Sequence, residues 1–278
     1  MPTPSVAEVL AAAGEAVRQG GRAVLCSIVR AEGSTPGKPG WRLLVRRDGS
    51  PVGNLGGGAF EAMVGVDAAA KLADAGAASE VKRYYLTEAA TRGEATGMVC
   101  GGMMEVFLEV LVANPLLVIY GGGPVGQALA RAGELAGFDL LVVDDRPAFL
   151  DPALFPEGTA FAPVPPLEGR HGEYGGEHLA AHLGREIYAA VVSRCWETDC
   201  AAVAALVRAA PPGLRYLGLM GSRRKIDRVV AEVEARGLTL DADSLHAPIG
   251  LPIGGDTPGE IAIAVLAEIL ATRYRKAA

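Results

Sequence analysis

The sequence predicts an α/β protein: a small N-terminal α+β domain over residues 1–113, followed by a doubly wound parallel-sheet domain over residues 114–278. Three observations carry this. Residues 116–130 join an apolar run, a glycine turn and an Ala- and Leu-rich helix, and a second apolar run follows at 139–143. Two such runs with a helix between them form a crossover unit, which pairs strands in parallel. Before this unit the elements read α-β-β-α-β-β with a hairpin signal; after it, strands alternate with helices. Ala113-Asn114-Pro115 breaks the pattern between the two parts.

In the N-terminal part, residues 5–19 read as an amphipathic helix with Ser5 and Glu8 as a capping box and Gly20-Gly21 as its end. Residues 23–29 are a strand rich in β-branched side chains. The stretch 32–40 is too dense in Gly and Pro for regular structure. Residues 41–47 are a strand, and Asp48-Gly49 turns it into a hairpin toward Pro51-Val52. A loop containing Gly56, Gly57 and Gly58 then enters a helix that runs to about residue 75. Three glycines in a row carry a large conformational entropy cost, so they mark backbone that comes close to a ligand or to another segment. Glu61 falls in the first helical turn, either as a structural acid suited to the helix dipole or as a functional carboxylate facing the loop. Residues 80–86 and 103–112 are strands. Between them Cys100 precedes Gly101-Gly102. Its surroundings suit either a thiol of lowered pKa that serves as a catalytic group or a small buried hydrophobe.

The second part opens with Gly121-x-Gly123-x-x-Gly126 and an acid, Asp144, 18 residues after the last glycine. Gly121 permits the tight turn, Gly123 lets backbone approach a pyrophosphate, and Gly126 lets helix and strand close together. The helix head favours an anion, and an acid at the second strand's end can hold ribose hydroxyls. This is a Rossmann-like unit, and it leaves two readings open: a bound nucleotide, or a scaffold whose glycines serve packing alone. Residues 146–186 are rich in Pro and Gly, with a short strand near 159–162. His171, His178 and His182 lack the partners of a metal site and read as solvated or structural. Residues 187–192 are a strand, with Thr198 expected to cap the helix that runs to 210. Residues 215–220 are the next strand, which runs into Gly221-Ser222-Arg223-Arg224-Lys225 and a helix to about 236. Ser222, Arg223 and Arg224 form either an anion site at a helix head or ordinary surface charge. Thr257, Pro258 and Glu260 make a capping box for the last helix, which assigns Glu260 a structural role.

The formal net charge of −6 gives no basic field for nucleic acid. No apolar run approaches the ~18 residues that span a membrane, so no membrane insertion is expected. The start has no basic-then-apolar signal, and the four cysteines lack zinc spacing, which predicts reduced thiols and a cytoplasmic protein. No metal ligand set, Ser-His-Asp set, paired-carboxylate spacing or Walker lysine is present. A homodimer is the base-rate expectation.

The stretches Gly33-Ser-Thr-Pro36, Gly53-Asn-Leu-Gly-Gly-Gly-Ala-Phe-Glu61, Cys100-Gly-Gly102, Gly121–Gly126, Gly218-Leu-Met-Gly-Ser-Arg-Arg-Lys225, Pro248-Ile-Gly-Leu-Pro-Ile-Gly-Gly255 and Thr257-Pro-Gly-Glu260 occur in an order that resembles the xanthine dehydrogenase accessory family, XdhC/CoxI. The resemblance implies an N-terminal accessory domain and a C-terminal Rossmann domain. It also implies a protein that binds molybdenum cofactor (molybdopterin), protects it and supports its sulfuration with a cysteine desulfurase. The cofactor would then be delivered to a xanthine dehydrogenase or a related molybdenum hydroxylase. Within that resemblance Gly56–Gly58 and Cys100 are the candidates for holding the pterin–metal unit. One departure is Ser193-Arg194-Cys195, where the family often has Thr-His; Arg194 there is a candidate anion contact. The residues alone also permit an NAD(P)-dependent oxidoreductase, with Asp144 favouring NAD over a 2′-phosphate, or a nucleotide-binding module without turnover.

Overall fold

The computed structural model describes residues 5–18, 21–74, 76–86, 101–167, 174, 176–180, 182, 184–209, 211, 213–240 and 244–275, and the backbone alone at 94–95. The chain divides into two compact units, Met1–Ala113 and Asn114–Ala278.

The first unit holds α1 (Val6–Arg18), β1 (Arg22–Glu32), β2 (Arg42–Arg46), β3 (Pro51–Gly53), α2 (Gly58–Ala73), β4 (Glu80–Tyr85), β5 (Glu94–Ala95) and β6 (Met103–Val112). The strands form one sheet in the order β3-β2-β1-β6-β4-β5. All its pairings are antiparallel except β4 with β5. Successive strand residues point to opposite faces, and β1 uses both. Val24, Cys26 and Ile28 pack with Phe60, Val64 and Ala68 of α2. Ala23 and Leu25 pack with Val9 and Ala13 of α1. Phe60, Val64 and Ala68 recur every four residues, the spacing of one helix face. The expected capping box of α1 is present: Glu8 Oε2 accepts from the Ser5 N–H, and Ser5 Oγ accepts from the Glu8 N–H.

The second unit holds β7 (Leu116–Tyr120), α3 (Pro124–Leu135), β8 (Asp139–Asp144), β9 (Ala160–Pro163), α4 (Glu177–Ala180), β10 (Ile187–Val191), α5 (Trp196–Ala209), β11 (Leu214–Leu219), α6 (Arg223–Ala235), β12 (Leu245–His246) and α7 (Pro258–Arg273). Two 3₁₀ turns, Pro147–Phe149 and Pro152–Leu154, follow β8. Every pairing is parallel, in the order β12-β11-β10-β7-β8-β9. From the other edge this is third, second, first, fourth, fifth, sixth, the doubly wound order of a Rossmann sheet. The chain reverses its direction of travel across the sheet between β7 and β10, which opens a crevice at their C-terminal ends. Both faces are covered. Leu116, Val118 and Tyr120 pack with residues of α5 and α6, whereas Leu117 and Ile119 pack with residues of α3 and α7. Burial on both faces explains the unbroken apolar runs of β7 and β10.

The α5 boundary corrects one expectation. Thr198 does not cap this helix but lies within its first turn, with its Oγ1 donating to the Cys195 carbonyl at 2.9 Å. A Thr side chain can bond the carbonyl three residues back from inside a helix, so its presence does not fix the helix start. The capping box of α7 is present as expected. Among the described residues, no helix is long and apolar enough to cross a membrane.

Candidate functional site

Each unit carries a glycine loop that feeds a helix. In the second unit the Gly121–Gly126 loop ends β7. Gly121 has φ 116°, and a Cβ there would lie 2.8 Å from the Val192 carbonyl oxygen, so the loop crosses hard against the end of β10. A Cβ on Gly126 would fall 1.9 Å from the Gly121 oxygen, which accounts for the close approach of α3 to β7. Gly122 is closed in by the Phe149 carbonyl oxygen, 2.1 Å from where its Cβ would be. Gly123 faces open space and is the N-cap of α3, with no side-chain cap and with Pro124 following. The head of α3 therefore keeps first-turn N–H groups that no capping side chain takes.

Asp144 ends β8 where the sequence predicts it. Its Oδ1 accepts from the Arg146 backbone N–H and from Arg146 Nε, both at 2.9 Å. Its Oδ2 accepts from the Gly122 N–H at 2.8 Å and from Arg146 Nη2 at 2.9 Å. Burial pushes the Asp144 carboxyl up, but the bonds from Arg146 and Gly122 outweigh it and hold the group below its usual range. Arg146 also lies over the Phe149 ring, 3.8 Å from its centre. The neighbouring Asp145 is paired with Arg194, Nη1 to Oδ1 at 2.5 Å and Nη2 to Oδ2 at 2.7 Å. Arg194 thus lines the β7–β10 crevice with its two terminal nitrogens on a carboxylate. A cavity of about 10 Å³ remains there, bounded by Tyr120, Gly121, Asp145, Tyr174, Ser193 and Arg194 among others. That is room for about one water.

Behind Arg194 lies a second polar group that the sequence did not reveal. Asp199 is fully buried in the first turn of α5. It accepts from Ser193 Oγ at 2.5 Å and forms an ion pair with Lys225 of α6. Burial raises its pKa against the opposing bonds from Lys225 and Ser193. This network ties the end of β10 to the heads of α5 and α6. Ser222 caps α6 through the Lys225 N–H, while Arg223 and Arg224 sit exposed in its first turn. Also missed was Tyr120, whose hydroxyl bonds His178 Nε2 at 2.7 Å. Burial lowers the His178 pKa and raises that of Tyr120. His178 is therefore a structural partner of β7. His171 lies outside the described residues.

In the first unit three sequence motifs come together. A Cβ on Gly56 would meet the carbonyl carbon of Pro36 at 2.6 Å, and one on Gly37 would meet the Leu55 oxygen at 2.2 Å. A Cβ on Gly102 would lie 2.3 Å from the Ser34 oxygen, and Ser34 bridges to Gly101. Gly56, Gly57 and Gly58 have φ of 117°, 74° and 67°. Glu61 Oε2 accepts from the Leu55 N–H at 2.7 Å and the Gly57 N–H at 3.2 Å, and Asn54 Oδ1 accepts from the Gly56 N–H. Both readings of Glu61 meet here: it braces the loop, and it faces it. Side chains added at 57 or 58 would meet nothing within 4 Å, and Gly57 is an N-cap without a side-chain cap. The loop thus presents an open backbone face at the head of α2. Cys100, the expected thiol, lies outside the described residues. The other cysteine of this unit, Cys26, is buried in β1, and burial pushes its thiol up to about 12, far from a reactive thiolate.

Residues 117–269 match the family model described as the XdhC Rossmann domain, and residues 16–85 match that described as the XdhC and CoxI family. The chain is 34% identical over 248 residues to "Uncharacterized protein YqeB" of Escherichia coli (strain K12), covering 88% of this chain and 42% of that one. It is 28% identical over 173 residues to a probable xanthine dehydrogenase subunit of Bacillus subtilis (strain 168), covering 62% and 47%. The chain thus spans less than half the length of these curated relatives. A solved structure described as a xanthine dehydrogenase from Bacillus halodurans is 19% identical, covers 97% of this chain and 96% of that one, and has a TM-score of 0.47. On the extent of the family match, the chain belongs to the XdhC family.

Proposed function

From that membership we propose that the chain is a xanthine dehydrogenase accessory factor. In this reading it binds molybdenum cofactor, supports its sulfuration with a cysteine desulfurase, and delivers it to a xanthine dehydrogenase or related molybdenum hydroxylase. One observation carries the placement of the site: the Gly33–Pro36, Gly53–Glu61 and Gly101-Gly102 stretches pack together around an open glycine face at the head of α2. The open backbone at the head of α2 would let the phosphate-bearing end of molybdopterin approach closely. Gly57 and Gly58 offer backbone without side chains, and a 16-residue helix directs its positive end there. Glu61 holds the Leu55 and Gly57 amides in place from inside the loop, which keeps the face preorganised. The redox and sulfur chemistry would be supplied by the bound molybdenum centre and the sulfur donor, while the chain binds, orients and shields.

The test is binding of molybdenum cofactor by the full chain, followed by fluorescence of the pterin. Gly58→Asn adds a side chain to open space at a φ that Asn tolerates. It is expected to weaken binding by roughly tenfold or more, equivalent to ~1.4 kcal/mol, with the fold intact by circular dichroism. Unchanged binding would move the site away from this loop.

A further inference from the structure

We infer that the end of β8 recognises a phosphorylated ribose, the 2′-phosphate class of dinucleotide, rather than a free ribose diol. This goes beyond the molybdopterin reading and does not depend on it. A ribose diol is held in Rossmann sites by a carboxylate with acceptor positions to offer. A carboxylate has about four of these, and on Asp144 they are taken. Oδ1 receives two donors from Arg146, and Oδ2 receives one from Arg146 and one from Gly122. Asp145 beside it is held at both oxygens by Arg194. This strand end therefore presents donors instead of acceptors. Arg146 Nη1 and Arg194 Nε make no bond among the described residues, and the two side chains are 31% and 43% exposed.

Each guanidinium is fixed from below, Arg146 by Asp144 and the Phe149 ring, Arg194 by Asp145. A phosphoryl group would meet planar donors already ordered, the geometry in which arginine recognises phosphate best. The two carboxylates balance the two cations, so the attraction is local and depends on hydrogen bonding more than on net field. Gly123 and the uncapped head of α3 stand on the same loop that Asp144 grips, where a pyrophosphate would be received.

The experiment is calorimetric titration of the full chain, at low salt, with NADP⁺, NAD⁺, adenosine 2′,5′-bisphosphate and 5′-AMP. The 2′-phosphorylated member of each pair is expected to bind about tenfold tighter. Arg146→Ala should abolish that preference, and Arg194→Gln, at the more exposed arginine, should reduce it without loss of fold. Equal or tighter binding of NAD⁺ and AMP, failure of both 2′-phosphates to bind, or a preference that survives both substitutions would overturn the inference. Since no pterin enters these titrations, this idea and the molybdopterin reading can fail separately.

Discussion

In the first unit the loop before α2 has positive φ at Gly56, Gly57 and Gly58, and at the last two positions a side chain would touch nothing within 4 Å. In the second unit the loop before α3 has positive φ only at Gly121, yet side chains at Gly122, and at Gly126 in the first turn of α3, would drive into backbone oxygens at 2.1 and 1.9 Å. At 57 and 58 glycine is needed for conformation, at 122 and 126 for lack of space. A loop of the first kind leaves an open face for a ligand. A loop of the second kind is gripped by its own protein, here by Asp144 and the Phe149 backbone. Both end in a glycine N-cap without a side-chain cap, so composition and helix position do not tell them apart.

The contrast can be broken by substitution. The largest effect is expected for Gly126→Val in the first turn of α3, since the Gly121 backbone and α3 cannot both hold their places. A loss of about 3 kcal/mol or more in denaturant unfolding is expected. Asp144→Asn should cost about 2 kcal/mol at neutral pH, because a buried, fully bonded carboxylate becomes an amide facing donors. The pH dependence has a definite sign. The folded carboxyl is depressed, so its contribution is complete above the unfolded value of about 4 and is lost as pH falls below it. The variant's stability should therefore approach wild type in acid, and a constant gap between pH 7 and pH 3 would refute the clamp. The smallest effect belongs to the open loop. Gly57 has φ 74° and ψ −173°, a region nearly reserved for glycine. Gly57→Ala should cost about 1.5 kcal/mol through strain alone. A cost near that of Gly126→Val would mean that the face at 57–58 is not open.

Much of this was legible in the chain because the signals are local. Apolar runs, the Gly121–Gly126 spacing and the Thr257–Glu260 box act over a few residues and appear as expected. The partners of the candidate site are not local. Asp144 meets Gly122 across 22 residues, Arg194 meets Asp145 across 49, and Tyr120 meets His178 across 58. Parallel crossovers create these neighbours, and nothing in the spacing of Arg194 announces a carboxylate partner. The sequence places Asp144 at the strand end, where it is found, and gives no sign of the four hydrogen bonds its carboxylate accepts. Arg146 lies only two residues away, so a guanidinium beside a strand-end acid was the signal at hand.

The strand order of the first unit sets a condition on how it can be made. β6, the last strand to be synthesised there, is also an interior one, pairing β1 on one side and β4 on the other. A chain growing from its N-terminus at roughly 5–20 residues per second therefore holds β1 and β4 without their shared partner until residue 112 has emerged. During that interval the native strand partner available to β1 is β2. The first unit cannot close strand by strand as it leaves the ribosome, and a truncation within β6 should undo the sheet from its middle instead of trimming its edge.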